Sequence, residues 1–254
     1  MALKHWILVG VAVACLIGDA RFATLVAAPW VETGNLKERV DLQRQADRRQ
    51  IDRTVTTWPM MINHTSQPNV LDGEFSFSGA TEPAFLRGYG RLPREHGEIS
   101  AGLEGQQEHW AARIKVTVVA DPEDDEQVRG DGSYIAGMAS NWMIGAGYID
   151  RWWGPGWQSS LILSNNARPV PALWLNRQDP RAFETRWLNW IGPWQLTAFV
   201  GQLEEKRAVS EPYLAGMRLT FRPMVGLDVG LSRTFMIGGD GRSSSSDTFW
   251  DALI

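Results

Sequence analysis

Two adjacent stretches near the end of the chain constrain the fold most. In Tyr213 to Arg222, one face carries Tyr213, Ala215, Met217, Leu219 and Phe221, and the other Leu214, Gly216, Arg218, Thr220 and Arg222. In Val225 to Thr234, Val225, Leu227, Val229 and Leu231 share a face opposite Gly226, Asp228, Gly230, Ser232 and Thr234. A period of two makes these β-strands with one apolar face, and it puts arginine and aspartate on the same face as the glycines. A soluble sandwich or propeller turns such polar residues out to water. A barrel in lipid inverts the arrangement, with apolar residues outward and glycine plus charge facing a wet lumen. Alternation has no sign, so the pattern alone leaves both open.

Strand length and the connections favour the barrel. Tyr213 to Phe221, tilted by ~40°, is long enough to cross the apolar band of an outer membrane. Earlier period-two segments include Glu74 to Ser78 and Arg113 to Ala120, with Ile114, Val116, Val118 and Ala120 on one side and Arg113, Lys115 and Thr117 on the other. Residues 84–105 are broken by glycine, and no strand can be placed there firmly. The stretches between strands alternate in character: Asp121 to Gly132 is long and acidic, and Ser140-Asn141 short. An aromatic turn and a compact Asn165 to Pro169 follow. Asn176 to Glu184 is long and Gly192-Pro193 minimal; Leu203 to Pro212 is long, Arg222 to Met224 tight, and Ile237 to Asp247 long. Long connections at one end and tight turns at the other are how outer-membrane barrels are built.

The amino-terminal part differs. Lys4 and His5 precede an apolar run from Ile7 to Gly18, too short to span a bilayer and suited to a signal-peptide core, with Ala23, Ala27 and Ala28 as possible cleavage points. Cys15, after Ala12-Val13-Ala14, offers a lipoprotein site as an alternative. Removal of residues 1–28 would leave a mature chain without cysteine, and so without a disulfide or thiolate metal site. No later stretch reaches the ~18 apolar residues of a membrane helix, so an exported membrane protein of this sequence has to be a barrel. Asn35 to Asp52 reads as a helix, with Asn35 and Glu38 as a capping box and Leu36, Val40 and Ala46 as a thin apolar stripe. Thr54 to Pro59 reads as extended. The divisions expected are a signal peptide over 1–28, a helical and extended periplasmic segment over 29–72, and a barrel over 73–254.

Composition adds two excesses and one exclusion. The chain of 254 residues holds 13 Trp and 25 Gly, and its net charge of −4 argues against a nucleic-acid partner, which calls for a basic stripe. Trp152, Trp153 and Trp157 crowd a Gly154-Pro155-Gly156 turn, which reads as a hairpin connection between two strands.

Residues 150–169, Asp150-Arg151-Trp152-Trp153-Gly154-Pro155-Gly156-Trp157 followed by Ser159-Ser160-Leu161-Ile162-Leu163-Ser164-Asn165-Asn166-Ala167 and Pro169, resemble the signature of the capsule-assembly Wzi family. Ala28 to Val31, Thr54 to Pro59, Ile191 to Trp194 and Phe235 to Gly241 are similar to further family segments. The resemblance implies an antiparallel outer-membrane β-barrel with an amino-terminal helical part. It also implies a non-enzymatic, lectin-like role that holds capsular or exopolysaccharide at the cell surface. Family members are longer, and this chain stops at Asp247 to Ile254, where another strand is expected, without a terminal aromatic on an alternating strand. About ten to twelve strands after residue 73 are expected. The sequence therefore reads as a partial, truncated barrel, mainly β, whose partners are polysaccharide and outer-membrane lipid.

Sugar binding needs aromatic faces for the C–H side of a pyranose and polar groups for its hydroxyls and acids. Trp152, Trp153 and Trp157 supply the first; Arg151, Asn165, Asn166 and Arg168 the second; Arg218 and Arg222 are lumen candidates for acidic glycan. Against this, such tryptophans in a barrel are more often an interfacial belt or a packed turn, and most lumen arginines such as Arg218 and Arg222 pair with lumen acids such as Asp228. Arg129, Lys206 and Arg207 are loop candidates for polysaccharide contact. No catalytic, metal or cofactor site is read. His64, His96 and His109 lack metal spacing, and Asp124-Asp125 and Glu204-Glu205 read as solvated loop acids. A plain porin and a secreted glycoside-cleaving enzyme remain the alternatives, because carboxylates distant in sequence can converge in space.

Overall fold

The computed structural model describes residues 28–62, 70–122, 124–205 and 208–242. The leader with Cys15, His64, Lys206, Arg207 and the segment from Asp247 to Ile254 lie outside the described residues.

The amino-terminal segment holds β1 (Trp30–Val31), α1 (Leu36–Asp47), β2 (Thr57–Trp58) and β3 (Met60–Met61), with β1 paired to β3. The backbone N–H of Glu38 donates to the Asn35 side-chain oxygen (3.2 Å), which caps α1 as expected. The helix ends five residues earlier than expected, followed by Arg49 in the left-handed region at φ 59°. Its buried line also differs from the expected stripe. Arg39 is the buried residue of α1, Leu42 and Ala46 pack with the core, and Leu36 is half exposed.

Among the described residues, ten strands form the main sheet. β4 (Val70–Ser78), β5 (Gly97–Gln106), β6 (Trp110–Ala120), β8 (Tyr134–Ala139), β9 (Trp142–Gly147), β11 (Ala172–Arg177), β12 (Trp194–Gln202), β13 (Tyr213–Met224) and β14 (Leu227–Ile237) follow one another as an antiparallel meander. β7 (Val128–Arg129) pairs with β6 off this path, and β4 and β14 are the two edges of the sheet among the described residues.

The faces carry the sign that alternation could not supply. Ile114 is 73% exposed and Leu173 62%, and Leu71, Phe75, Ile99, Leu103, Ile135, Ile144 and Leu231 stand out with them. On the other face Thr220 is 1% and Arg218 7% exposed. Soluble monomers rarely show apolar patches beyond a few hundred Å². A whole sheet face of Leu, Ile, Val and Phe fits lipid, and this is an inside-out barrel sheet. Arg233, on the edge strand β14 opposite Met217, interrupts the outward apolar row.

What buries the inward face is the amino-terminal segment. Trp30 packs on Tyr134 of β8 (centroids 4.5 Å apart) and edge-on to Trp174 of β11 (5.3 Å). Thr54 donates to Thr220 (2.8 Å), and Arg218 donates through Nε to Thr57 (2.9 Å) and through Nη2 to Thr56 (3.2 Å). One cross-strand row is shaped for this: Ala111, Ala136 and Gly145 are small, Trp174 and Phe199 large, Gly216 small again. Gly145 lies directly beside Trp174 in register, and a Cβ there would come within 2.2 Å of the indole. Gly145 and Gly216 are thus seats for aromatic rings from the neighbouring strand.

Two expectations are overturned. The signature run does lie in the connection between two antiparallel neighbours, β9 and β11, but it is not a strand–turn–strand unit, because residues 148–171 leave the sheet between them. Within that excursion only β10 (Trp152–Trp153) is extended, and it pairs with β2 of the amino-terminal segment. Nor is there a strand between Glu184 and Gly192. Residues 178–193 form one connection with a 3-10 turn at Asn189–Ile191, a long link at the end otherwise closed by tight turns. In both places apolar and aromatic residues imitate strands but are held by local turns or by contacts distant in sequence.

Candidate functional site

The candidate site is the chamber where the signature run, the 79–96 connection and the amino-terminal segment meet inside the sheet. The run acts as a clasp between the other two. Gly154 N–H donates to the Thr56 carbonyl (2.9 Å) and Tyr89 N–H to the Trp157 carbonyl (2.8 Å). Asn165 Nδ2 donates to the Tyr89 carbonyl (2.9 Å), and Arg87 N–H donates to Asn166 Oδ1 (2.7 Å). Two apolar clusters result. Trp152 joins Trp58, Tyr89, Val31 and Met60, while Trp153 joins Trp30, Trp174 and Phe199. β10 divides them, because successive residues of a strand point to opposite sides.

The structure therefore covers most of the candidate sugar-contacting residues with protein. Trp152 and Trp153 are buried, and Trp152 Nε1 donates to the Gly156 carbonyl (3.0 Å). Arg151 is buried over Phe199 (4.5 Å to the centroid) and donates to the Ile149 carbonyl (3.1 Å); burial pulls its pKa down to about 10. Asn165 is buried, and Arg218 is held by Thr57, Thr56 and Ser232. Arg222 pairs with Asp228 through two hydrogen bonds (2.6 and 3.1 Å), far along β13 from the chamber. Trp157 is half-buried against Arg39, whereas Asn166 is exposed. Asn165, Asn166 and the three tryptophans come together, but as a joint in the fold rather than an open platform.

Arg168 makes a different joint. It donates through Nε and Nη2 to Asp131 (both 3.0 Å), and through Nη1 to Asp124 (2.8 Å) and Glu126 (2.6 Å). Asp124 also accepts from Arg129 (2.7 Å), which is bound in turn to Glu95 (2.7 Å). Partial burial pushes the Asp124 carboxyl up, but hydrogen bonds from Arg129, the Glu126 backbone and Arg168 outweigh it and hold the carboxyl at about 2. The acids expected to be solvated are in part a latch tying residues 121–133 to the signature run.

Several residues that build the chamber went unread in the sequence. Arg39, on α1, lies between Tyr89 (4.1 Å) and Trp157 (4.2 Å) and donates to the carbonyls of Pro155 (3.0 Å) and Gly156 (2.9 Å). Burial lowers its pKa to about 10. Arg87, Arg91 and Arg94 come from the glycine-broken region, where three arginines spaced three or four residues apart around Gly88-Tyr89-Gly90 were the available signal. They help enclose a cavity of about 390 Å³ that also reaches β4, β5, β6 and the first residues of the amino-terminal segment. Arg94 is ion-paired to Asp150 (2.9 Å). Burial acts to lower its pKa, and the carboxylates of Asp150, Asp131 and Glu98 together more than offset that.

Known proteins agree with this architecture. Residues 68–254 match the family model of the capsule assembly protein Wzi. A 55.8 kDa protein of the cps region of Klebsiella pneumoniae is 28% identical over 242 residues, covering 85% of this chain and 48% of its own length. The solved structure of Wzi from Escherichia coli superposes with a TM-score of 0.75 at 25% identity, covering 88% of this chain and 57% of that one. That protein is described as an outer-membrane, carbohydrate-binding β-barrel involved in group 1 capsule assembly. This chain spans about half the length of the curated relative it matches.

Proposed function

This chain belongs to the Wzi capsule-assembly family, and from that premise we propose that it works without catalysis in the outer membrane, holding capsular or extracellular polysaccharide at the cell surface. The observation that carries the reading is the family match joined to an inside-out sheet, whose apolar face suits lipid and whose inward face is polar and packed. In this reading residues 1–28 direct export and are removed, residues 29–62 fill the lumen, and the sheet from Val70 to Ile237 forms the lipid-facing wall. The packed lumen speaks against a plain porin, since an open aqueous channel needs a vacant interior. With Trp152, Trp153 and Arg151 covered, polysaccharide contact falls to Asn166, Arg168, the exposed part of Trp157 and the chamber beside them.

The test is retention. A strain lacking the protein should make normal amounts of polysaccharide and release it to the medium, and complementation should restore attachment. Unchanged retention in the deletion strain would refute the reading.

A further inference from the structure

From the placement of its tryptophans we infer that the 178–193 connection is a membrane-interface foot. Trp187 and Trp190 seat it at the headgroup level of the phospholipid leaflet on the periplasmic side. This rests on the outer-membrane reading above and adds a lipid-binding segment and its place. The sheet itself shows where the interface lies. Three strands that start from the end with the tight turns, β6, β9 and β12, each begin with tryptophan: Trp110, Trp142 and Trp194. The next residue of each, Ala111, Met143 and Gln195, is buried inward, so all three indoles stand on the outward, apolar face. Trp110 Nε1 donates to Gln107 Oε1 in the adjoining turn (2.9 Å), which turns its polar edge toward the strand end. Indoles ringing a barrel in this way mark the boundary between hydrocarbon and headgroups, and short turns mark the periplasmic end.

The 178–193 connection continues that row. Phe183 stacks on Trp194 (4.7 Å between centroids, 16° between planes), and the Arg177 guanidinium lies over the same indole (3.8 Å). The connection therefore touches the sheet on its outward side. Its ends are fixed, because Trp194 N–H donates to the Pro180 carbonyl (2.7 Å) and Arg222 N–H to the Pro193 carbonyl (2.9 Å). Between them, Leu188 N–H and Asn189 N–H both donate to the Thr185 carbonyl (2.9 and 3.0 Å), and Ile191 N–H to the Leu188 carbonyl (3.1 Å). In such a run of turns, residues three apart fall on one side. That spacing pairs Trp187 and Trp190, which are 73% and 64% exposed. Two indoles held side by side and largely bare of protein are costly in water and favoured at a lipid interface. The connection carries two acids, Asp179 and Glu184, and two arginines, Arg181 and Arg186. Its pull on a membrane comes from the indoles rather than from net charge, so a zwitterionic phospholipid is a sufficient partner.

The experiment folds the full-length protein into phosphatidylcholine bilayers and compares it with the double variant Trp187→Phe, Trp190→Phe. The difference between the two emission spectra is the fluorescence of the pair. That difference is expected to lose about half or more of its intensity when the bilayer lipid is brominated on the acyl chain next to the headgroup, and less when bromine sits near the chain end. Should the double variant fail to fold, the single variants Trp187→Phe and Trp190→Phe each report their own ring. A pair indifferent to brominated lipid, while the remaining tryptophans of the double variant are still quenched by it, overturns the foot and leaves the outer-membrane reading standing. If no tryptophan is quenched by brominated lipid, the foot and the outer-membrane reading fall together.

Discussion

At the scale of single residues, glycine and arginine do opposite work on the same inward face. Gly145 and Gly216 are small because Trp174 and Phe199 of neighbouring strands lie over them, with added Cβ atoms meeting the rings at 2.2 and 2.5 Å. Gly145→Val should therefore displace Trp174 and, with it, the Trp30 contact that seats the amino-terminal segment. We expect a loss of about 1–3 kcal/mol in urea unfolding in detergent, the usual cost of overpacking a filled core. Wild-type unfolding would show that the row is looser than its geometry. Arg218 is the counterpart: it lies over Gly230 and reaches across the lumen to two threonines, which a residue with a shorter arm could not do.

At the scale of elements, the 121–133 connection and the signature run are held together by charge rather than by apolar packing. Arg168 binds three carboxylates in the 121–133 connection, and Asp124 has a carboxyl pKa of about 2, below its ordinary value of 3.8. A depressed acid stabilises the folded arrangement fully above the unfolded value and loses that contribution as pH falls through the folded one. The latch should thus hold above about pH 4 and open progressively toward pH 2. Amide exchange in residues 124–133, corrected for intrinsic rates, should rise over that window. Arg168→Ala should raise it already at neutral pH, with the strands unaffected. Flat exchange in both cases would mean that backbone contacts alone fix the connection.

At the scale of the whole molecule, the inverted distribution of apolar and polar faces is the premise of everything functional. Lysine at Ile114 or Leu173 would place a charge on the outward face, and at the mid-bilayer such a change costs about 2–4 kcal/mol. Leu161 is at least as exposed, yet it lies on the 148–171 connection, away from the strands. Leu161→Lys should leave folding into bilayers unchanged, while Ile114→Lys and Leu173→Lys should each destabilise the inserted protein by that amount. Equal tolerance at all three positions would mean that water, not lipid, bathes the sheet.

The strands, their two faces and the helix cap were legible in the sequence because each depends on neighbours within a few residues. Alternation from Tyr213 to Phe221 and the Asn35 cap reappear in the structure with only their ends shifted. The role of the tryptophan-rich run was not legible. Trp152 and Trp153 look like a hairpin to any local reading, yet their backbone partners are Trp58 and Thr57, nearly a hundred residues earlier. Arg129 was legible as a loop candidate and Arg113 as a polar strand residue, but their meeting with Arg87 was hidden, since the three converge only once the sheet has curled around the amino-terminal segment. Sequence by itself determined which residues alternate and which face is greasy. Tertiary structure decided which face looks outward and what fills the inside, because hydrophobic periodicity is a local property and its direction depends on partners brought together by the chain's return.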